Sequence, residues 1–243
     1  MGVIVNNTIL TIATLLFSTN IWAGQAKSIC GLVDDRTPSS DPREGKLVKK
    51  TSKISGCSGS LIGKNCMISA GHCTAHTYFA QFNQRANGTA LPEDTYTVNR
   101  KTMVYSDSGT GADYSVFKLN PNSITGKSAG EAQGFYKVRY APVSIADAIS
   151  ITGYGKDSED LKTFTQQTHN GTIGNLVETV LYYDADTDSG NSGSGVILQA
   201  TDELIGVHTN GGCYAYGGSN GGTSLAAHAK FKAAVEKCLA SDL

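Results

Sequence analysis

Short runs of β-branched and aromatic residues, cut apart by clusters of Gly, Asn, Asp and Ser, fill the middle of this 243-residue chain. Residues 59–62, 66–69, 77–82, 96–104, 115–119, 148–153, 177–183, 195–198 and 204–208 are such runs. Each has the length and composition of a strand, and each is bounded by turn formers. With 28 glycines to make tight turns, the pattern predicts an all-β barrel or sandwich. No internal repeat at a fixed short period is visible. The chain end is different: residues 225–239, "LAAHAKFKAAVEKCL", lack Gly and Pro. There Leu225, Ala229, Val235 and Leu239 can share one face, which predicts a terminal helix. A polar, turn-rich stretch at residues 120–131 predicts a linker between two β halves, and the chain is long enough for one large or two smaller cores.

The first 26 residues hold no Lys or Arg, residues 9–17 are mostly apolar, and Ile21-Trp22-Ala23 ends on a small residue. This predicts a secretory signal peptide over residues 1–23, with a short propeptide at 24–27. The rival is an uncleaved anchor, but the apolar run is short for a bilayer. Six cysteines behind an export signal predict disulfides, with the pairing open. There is no Cys-x-x-Cys or His-Glu-x-x-His, so no metal is expected, and no cofactor. A net charge of −1 gives no reason for nucleic acid or an acidic membrane as partner. Lys46, Lys49, Lys50 and Lys53 read as a solvated face. The expected product is a secreted monomer, extracellular or periplasmic, with no membrane attachment after processing.

Histidines are scarce. His72 follows an apolar strand, His76 lies in the next turn, His169 sits in a loop, His208 closes a strand, and His228 is on the terminal helix. Nucleophilic catalysis by serine needs a base, a carboxylate to orient it, and donors for the oxyanion. Asp113 opens the apolar run "YSVFKL" and suits a buried orienting carboxylate, whereas Asp107 reads as a turn residue. In "DTDSGNSGSG", Ser192 alone has the setting Gly-Asn-Ser-Gly, where glycine lets backbone N–H groups converge. Ser189 and Ser194 lack it.

The segments "SAGHC", "ADYSVFKL" and "SGNSGSGV" stand in the order His, Asp, Ser, with "CSGSLIG", "ITGYG" and the terminal helix around them. In this the chain resembles the chymotrypsin-like serine proteases, over roughly residues 28–243. The resemblance implies two antiparallel six-stranded β-barrels, residues 28–130 and 131–243, the second carrying the terminal helix. It implies a secreted endopeptidase acting on polypeptides through an acyl-enzyme, with His72 as base, Asp113 as orienter and Ser192 as nucleophile. The N–H groups of Gly190 and Ser192 would form the oxyanion hole, and Cys57–Cys73 would be the histidine-loop disulfide. Cys213–Cys238 with Cys30–Cys66 is one option for the rest.

Within the family the chain looks most like bacterial glutamyl endopeptidases, through "SICGLVDDRT", "GVHTNGG" and "GNSGS". Asn191 stands where animal digestive proteases have an aspartate that pairs with a newly cut N-terminus, so that zymogen switch is in question here. The likeness implies that Thr187 and His208 donate to a glutamate side chain at P1, the residue before the cleaved bond. Thr209, Asn210 and Gly211 would pair with the substrate backbone. An imidazole titrating near 6.5 would bind glutamate less well above neutrality. The opposing expectation places Asp186 at the base of the pocket and Arg or Lys at P1. An inactive homologue used as a binding module, and a disulfide-rich structural protein, are the readings from other classes.

Overall fold

The strands are too short to bury a face singly, and they solve this by closing on themselves. The structure is a computed structural model and describes residues 2, 28–50, 56–84 and 88–242. The signal peptide (but for Gly2) and the propeptide expected at the start lie outside the described residues, as does Lys53. Among the described residues a two-residue strand, β1 (Thr37–Pro38), precedes β2 (Glu44–Val48), β3 (Cys57–Leu61), β4 (Cys66–Ser69), β5 (Phe79–Gln81), β6 (Thr95–Asp107) and β7 (Asp113–Leu119). Strands β2 to β7 form a closed antiparallel barrel in the order β2-β3-β4-β7-β6-β5. Leu47, Leu61, Met67, Phe82, Tyr96 and Phe117 fill it.

A short helix α1 (Ala129–Gln133), started by a Ser128/Glu131 capping box, ends the stretch expected as a linker. After it come β8 (Lys137–Val138), β9 (Ala148–Gly153), β10 (Gln167–Val177), β11 (Val180–Tyr183), β12 (Gly195–Leu198), β13 (Glu203–Asn210) and β14 (Asn220–Ser224). Pairing runs β10-β11-β14-β13-β12-β9 and returns to β10, which makes a second six-stranded ring. Its core is Ile149, Ile151, Ile173, Leu181, Val196, Leu198 and Ile205. Strand β1 joins this second sheet through β10, so the N-terminal segment lies along the second barrel before the chain enters the first.

The terminal helix α2 (Ala229–Ala240) closes the molecule. Its buried face is Phe231, Ala234, Val235 and Cys238, whereas Ala229 is exposed. The expected start at residue 225 is about one turn early: Val235 and Leu239 pack on the core as expected, but Leu225 is buried ahead of the helix, and His228 caps it by accepting the Phe231 N–H. Phe231 stacks on Tyr114, with ring centroids 4.8 Å apart, in a cluster that joins the helix to both barrels.

Three disulfides are present: Cys57–Cys73, Cys30–Cys213 and Cys66–Cys238. The first is as expected. The other two replace the suggested Cys213–Cys238 and Cys30–Cys66, because the N-terminal segment runs along the second barrel beside Cys213 and α2 packs on β7, the strand paired with β4. Other local expectations also shift. His169 lies on β10, not in a loop. Lys46 is buried, its Nζ near the Phe164 ring and carbonyl, not on a solvated face with exposed Lys49 and Lys50. Strands β2 and β14 were not foreseen, since "EGKLV" and "NGGTS" carry few β-branched residues.

Candidate active site

Two turns of 3-10 helix, Gly71–His76, follow β4 and carry His72 out of the first barrel. Asp113 opens β7 beside it and is 3% exposed. Its Oδ2 lies 2.6 Å from His72 Nδ1. Its Oδ1 accepts the N–H groups of Gly71 at 2.5 Å and His72 at 3.1 Å. One carboxylate thus holds both the ring and the backbone of the histidine. The second barrel holds Asp113 in turn: Thr223 Oγ1 on β14 donates to its carbonyl at 2.7 Å. The hydrogen bond to Asp113 raises the pKa of His72, burial opposes this, and the charges of Asp113 and Asp107 add to the rise. The His72 side chain remains 37% exposed, open to a reacting group. Asp107 is exposed at the β6–β7 turn, as its sequence setting suggested.

The serine loop belongs to the second barrel but is docked on the first. Ser58 N–H donates to the Ser192 carbonyl at 2.8 Å, and Cys73 Sγ lies 3.7 Å from that carbonyl. Ser192 therefore sits against the residue next to His72, and the Cys57–Cys73 bridge braces that contact. The two glycines flanking Asn191-Ser192 are needed. Gly190 has φ +111°, and Gly193 has φ +94°, where a Cβ would come 2.1 Å from Ser69 Oγ. Of the three serines, Ser194 is fully buried, Ser189 is exposed, and Ser192 is half-buried at the junction of the barrels.

His208 on β13 is joined to the same loop by backbone: Gly193 N–H donates to its carbonyl and its N–H to the Ser194 carbonyl, both at 2.8 Å. Its Nδ1 lies 2.7 Å from the Tyr183 hydroxyl. Burial pushes its pKa down to about 3; His72 adds to this and Asp113 opposes it. Burial also pushes the Tyr183 phenol well above its usual value. The pair is thus neutral near pH 7, which differs from the near-6.5 titration expected from sequence. The Thr187 hydroxyl is buried with no hydrogen-bond partner among the described residues. Thr209 is buried, Asn210 half-buried and Gly211 exposed, at the end of β13 past the last residue of β12 paired with it.

Asp186, the pocket base of the opposing expectation, lies against the N-terminal segment. Its side chain is buried, with Oδ1 accepting the Cys30 N–H at 2.6 Å and Oδ2 near the Asp35 N–H. Burial raises its pKa to about 6 against those bonds and the pull of His169. Its carboxylate is spent on fastening the N-terminal segment. His169 completes the fastening: Nδ1 accepts the Asp186 N–H, and Nε2 lies 2.9 Å from Asp35 Oδ1. Among the described residues two groups bring together three atoms of metal-ligand type. Cys57, His72 and Cys73 are one, but the thiols form a disulfide. Asp35, His169 and Asp186 are the other, and both ring nitrogens of His169 are already engaged.

The sequence reading did not find Ser58, Tyr183 or Arg36. Ser58 Oγ accepts the Tyr154 N–H and donates to the Gly190 carbonyl, both at 2.8 Å. Only the contact between barrels gives it that role, and nothing local marks it.

The profile of the family described as Trypsin matches residues 34–234. Glutamyl endopeptidase of Bacillus licheniformis is 30% identical over 223 residues, which cover 82% of this chain and 66% of that protein. Extracellular metalloprotease of Bacillus subtilis is 33% identical over 183 residues, 67% of this chain and 53% of that protein. Glutamyl endopeptidase of Staphylococcus aureus is 29% identical over 157 residues, 63% and 45%. The chain thus spans about half to two thirds of the length of these curated relatives. A solved structure of Glu endopeptidase in complex with MPD shares the fold, with a TM-score of 0.69 at 24% identity over 87% of this chain and 100% of that one.

Proposed function

The chain belongs to the trypsin family, and from that premise we propose that it is a secreted serine endopeptidase that cleaves polypeptides after glutamate, and more slowly after aspartate. The observation that carries the chemistry is the 2.6 Å pairing of His72 Nδ1 with Asp113 Oδ2, beside a serine loop docked on Cys73. With Nδ1–H held by Asp113, His72 Nε2 is free to take the Ser192 hydroxyl proton as Oγ attacks the peptide carbonyl. The oxyanion forms within reach of the Gly190 and Ser192 N–H groups. His72 then protonates the leaving amine, and a water repeats the sequence on the acyl-enzyme.

For specificity, the support is a neutral His208 and an unpartnered Thr187 hydroxyl flanking the serine loop. A buried hydroxyl without a partner is costly, so one that completes its bonding only with substrate favours a polar P1 side chain. Recognition of a carboxylate by His208 Nε2 requires the proton there, with Tyr183 donating to Nδ1. Aspartate is a methylene shorter than glutamate and reaches these donors less well. Because His208 is already neutral near pH 7 in the free protein, glutamate binding should weaken little as pH rises through neutrality. The Arg/Lys alternative would need the Asp186 carboxylate, which is engaged with Cys30.

The test has two arms. Labelling with diisopropyl fluorophosphate followed by peptide mapping should find Ser192; a label on Ser189 or Ser194 would sink the assignment. Parallel kcat/KM values on matched Glu, Asp, Arg and Lys peptides should favour Glu, and His208→Val should lose that preference more than general activity. A preference for Arg or Lys that Asp186→Ser abolishes would refute the glutamate reading alone.

A further inference from the structure

Arg36 is a charged side chain buried where the catalytic reading gives it no part. Its side chain is 1% exposed, and its guanidinium bridges the N-terminal segment and the serine loop. Nε and Nη2 clasp the two oxygens of Asp34, at 2.8 and 2.6 Å. Nη2 also donates to the Lys156 carbonyl at 2.6 Å, and Nη1 to Asn191 Oδ1 at 3.3 Å. Burial works against its charge, but the bonds and charge of Asp34 outweigh this, so the group stays protonated.

Both acceptors beyond Asp34 bear on the oxyanion donors. Lys156 N–H donates to the Ser189 carbonyl at 2.9 Å. In a trans peptide the carbonyl and the following N–H point in opposite directions. Drawing Ser189 O toward Lys156 therefore turns the Gly190 N–H the other way, toward the site of the oxyanion. Asn191 Oδ1 also accepts the Asp188 N–H at 3.2 Å, and Asn191 N–H donates to the Asp188 carbonyl at 2.9 Å. Asn191 thus cross-braces the turn, and Arg36 pins Asn191. The fit leaves no slack, since a Cβ on Gly155 would meet Asn191 Oδ1 at 1.9 Å and Arg36 Nη1 at 2.5 Å.

We propose that Arg36 is the positioning residue of the oxyanion hole: an internal guanidinium that holds residues 188–193 in the donor-exposing shape whatever residue begins the chain. The charge comes from a side chain, not from an N-terminal amine. Its segment is tied to the second barrel by the Cys30–Cys213 bridge, the Cys30–Asp186 bond and strand β1. None of these ties needs a free amine. Removal of residues 24–27 can then change P1 binding, but it does not build the oxyanion hole.

The kinetic part of the test rests on the serine-protease reading; the structural part does not. Arg36→Met should lower kcat by about 10²–10³-fold, the size of one lost oxyanion donor, with KM little changed. Arg36→Lys, which keeps the charge but loses the fork, should recover part of the rate. A folding defect from the abandoned Asp34 carboxylate is avoided in Asp34→Asn/Arg36→Met, which removes both charges. Amide hydrogen exchange across residues 188–193 should quicken in that double variant relative to the unmodified protein. Chains beginning at Gly24 and at Ser28 should react with diisopropyl fluorophosphate at the same rate. Unchanged exchange protection in the folded double variant would overturn the proposal. So would a Gly24 chain that reacts much more slowly than the Ser28 chain. If neither chain reacts at all, the serine-protease reading fails, and the exchange result still decides the role of Arg36.

Discussion

His208 should make this protein lose stability as pH falls below about 6.5. In the unfolded chain the imidazole takes its proton near 6.5, whereas in the folded protein burial holds it to about 3. Below pH 6.5 the unfolded state therefore binds a proton that the folded state refuses, and stability falls as pH falls. The loss begins at the unfolded pKa and is complete near pH 3. At about 1.4 kcal/mol per unit, it amounts to about 3 kcal/mol between pH 6.5 and 4.5 and about 5 kcal/mol in all. Asp186 works in the opposite sense. Its pKa is raised to about 6, so protonation favours the folded state between there and its ordinary value. Urea unfolding of the oxidised protein at steps from pH 7.5 to 4.5 measures the sum. His208→Gln isolates the histidine term, because Gln can still bond Tyr183 but does not titrate, and Asp186 is common to both proteins. The stability difference between variant and parent should shift toward the variant by about 3 kcal/mol over that span. A difference that stays flat with pH would refute the reasoning and mean that His208 is protonated, or reached by water, in the folded state.

Three further outcomes follow from the site and the disulfides. Asp113→Asn should leave the fold intact and reduce kcat by about 10⁴-fold, the size known for the chymotrypsin triad and not worked from these distances; near-parental kcat in a steady-state assay would move the orienting role elsewhere. Ser58→Ala leaves the buried Gly190 carbonyl and Tyr154 N–H without their shared partner, so stability should drop by about 1–3 kcal/mol in urea, with a lower kcat and little change in KM. The Cys66–Cys238 bridge closes a loop with a sequence separation of 172 residues. Replacing both cysteines by Ala should cost up to about 5 kcal/mol, read as a lower melting temperature, and release α2 as the first element to exchange its amides.

Much of the site was legible before any fold was known. His72, Asp113 and Ser192 each sit in a local setting whose chemistry is readable along the chain: a histidine after an apolar strand, an aspartate entering a buried one, and a serine between two glycines. The same holds for the strands rich in β-branched residues and for the terminal helix, whose signals come from near neighbours. The cores Ile149, Ile151, Val196 and Phe117 come from such runs.

What stayed hidden depends on residues far apart in sequence that meet only after folding. Asp186 reads as a pocket base until the N-terminal segment brings Cys30 N–H onto it. Arg36 carries no mark along the chain and gains its role only when Asp34, Lys156 and Asn191 close around it. Lys46 sits in a charge cluster along the chain and is buried in space. His208 carries the pKa of a free imidazole until burial takes its water away. The sequence by itself determined the strand-and-turn grammar and the candidate reactive groups, because propensity and side-chain chemistry are local. The tertiary structure alone decided the disulfide partners, the docking of the serine loop on Ser58 and the protonation of His208, because desolvation, crosslinking and hydrogen-bond partnership are set by whatever the fold places alongside.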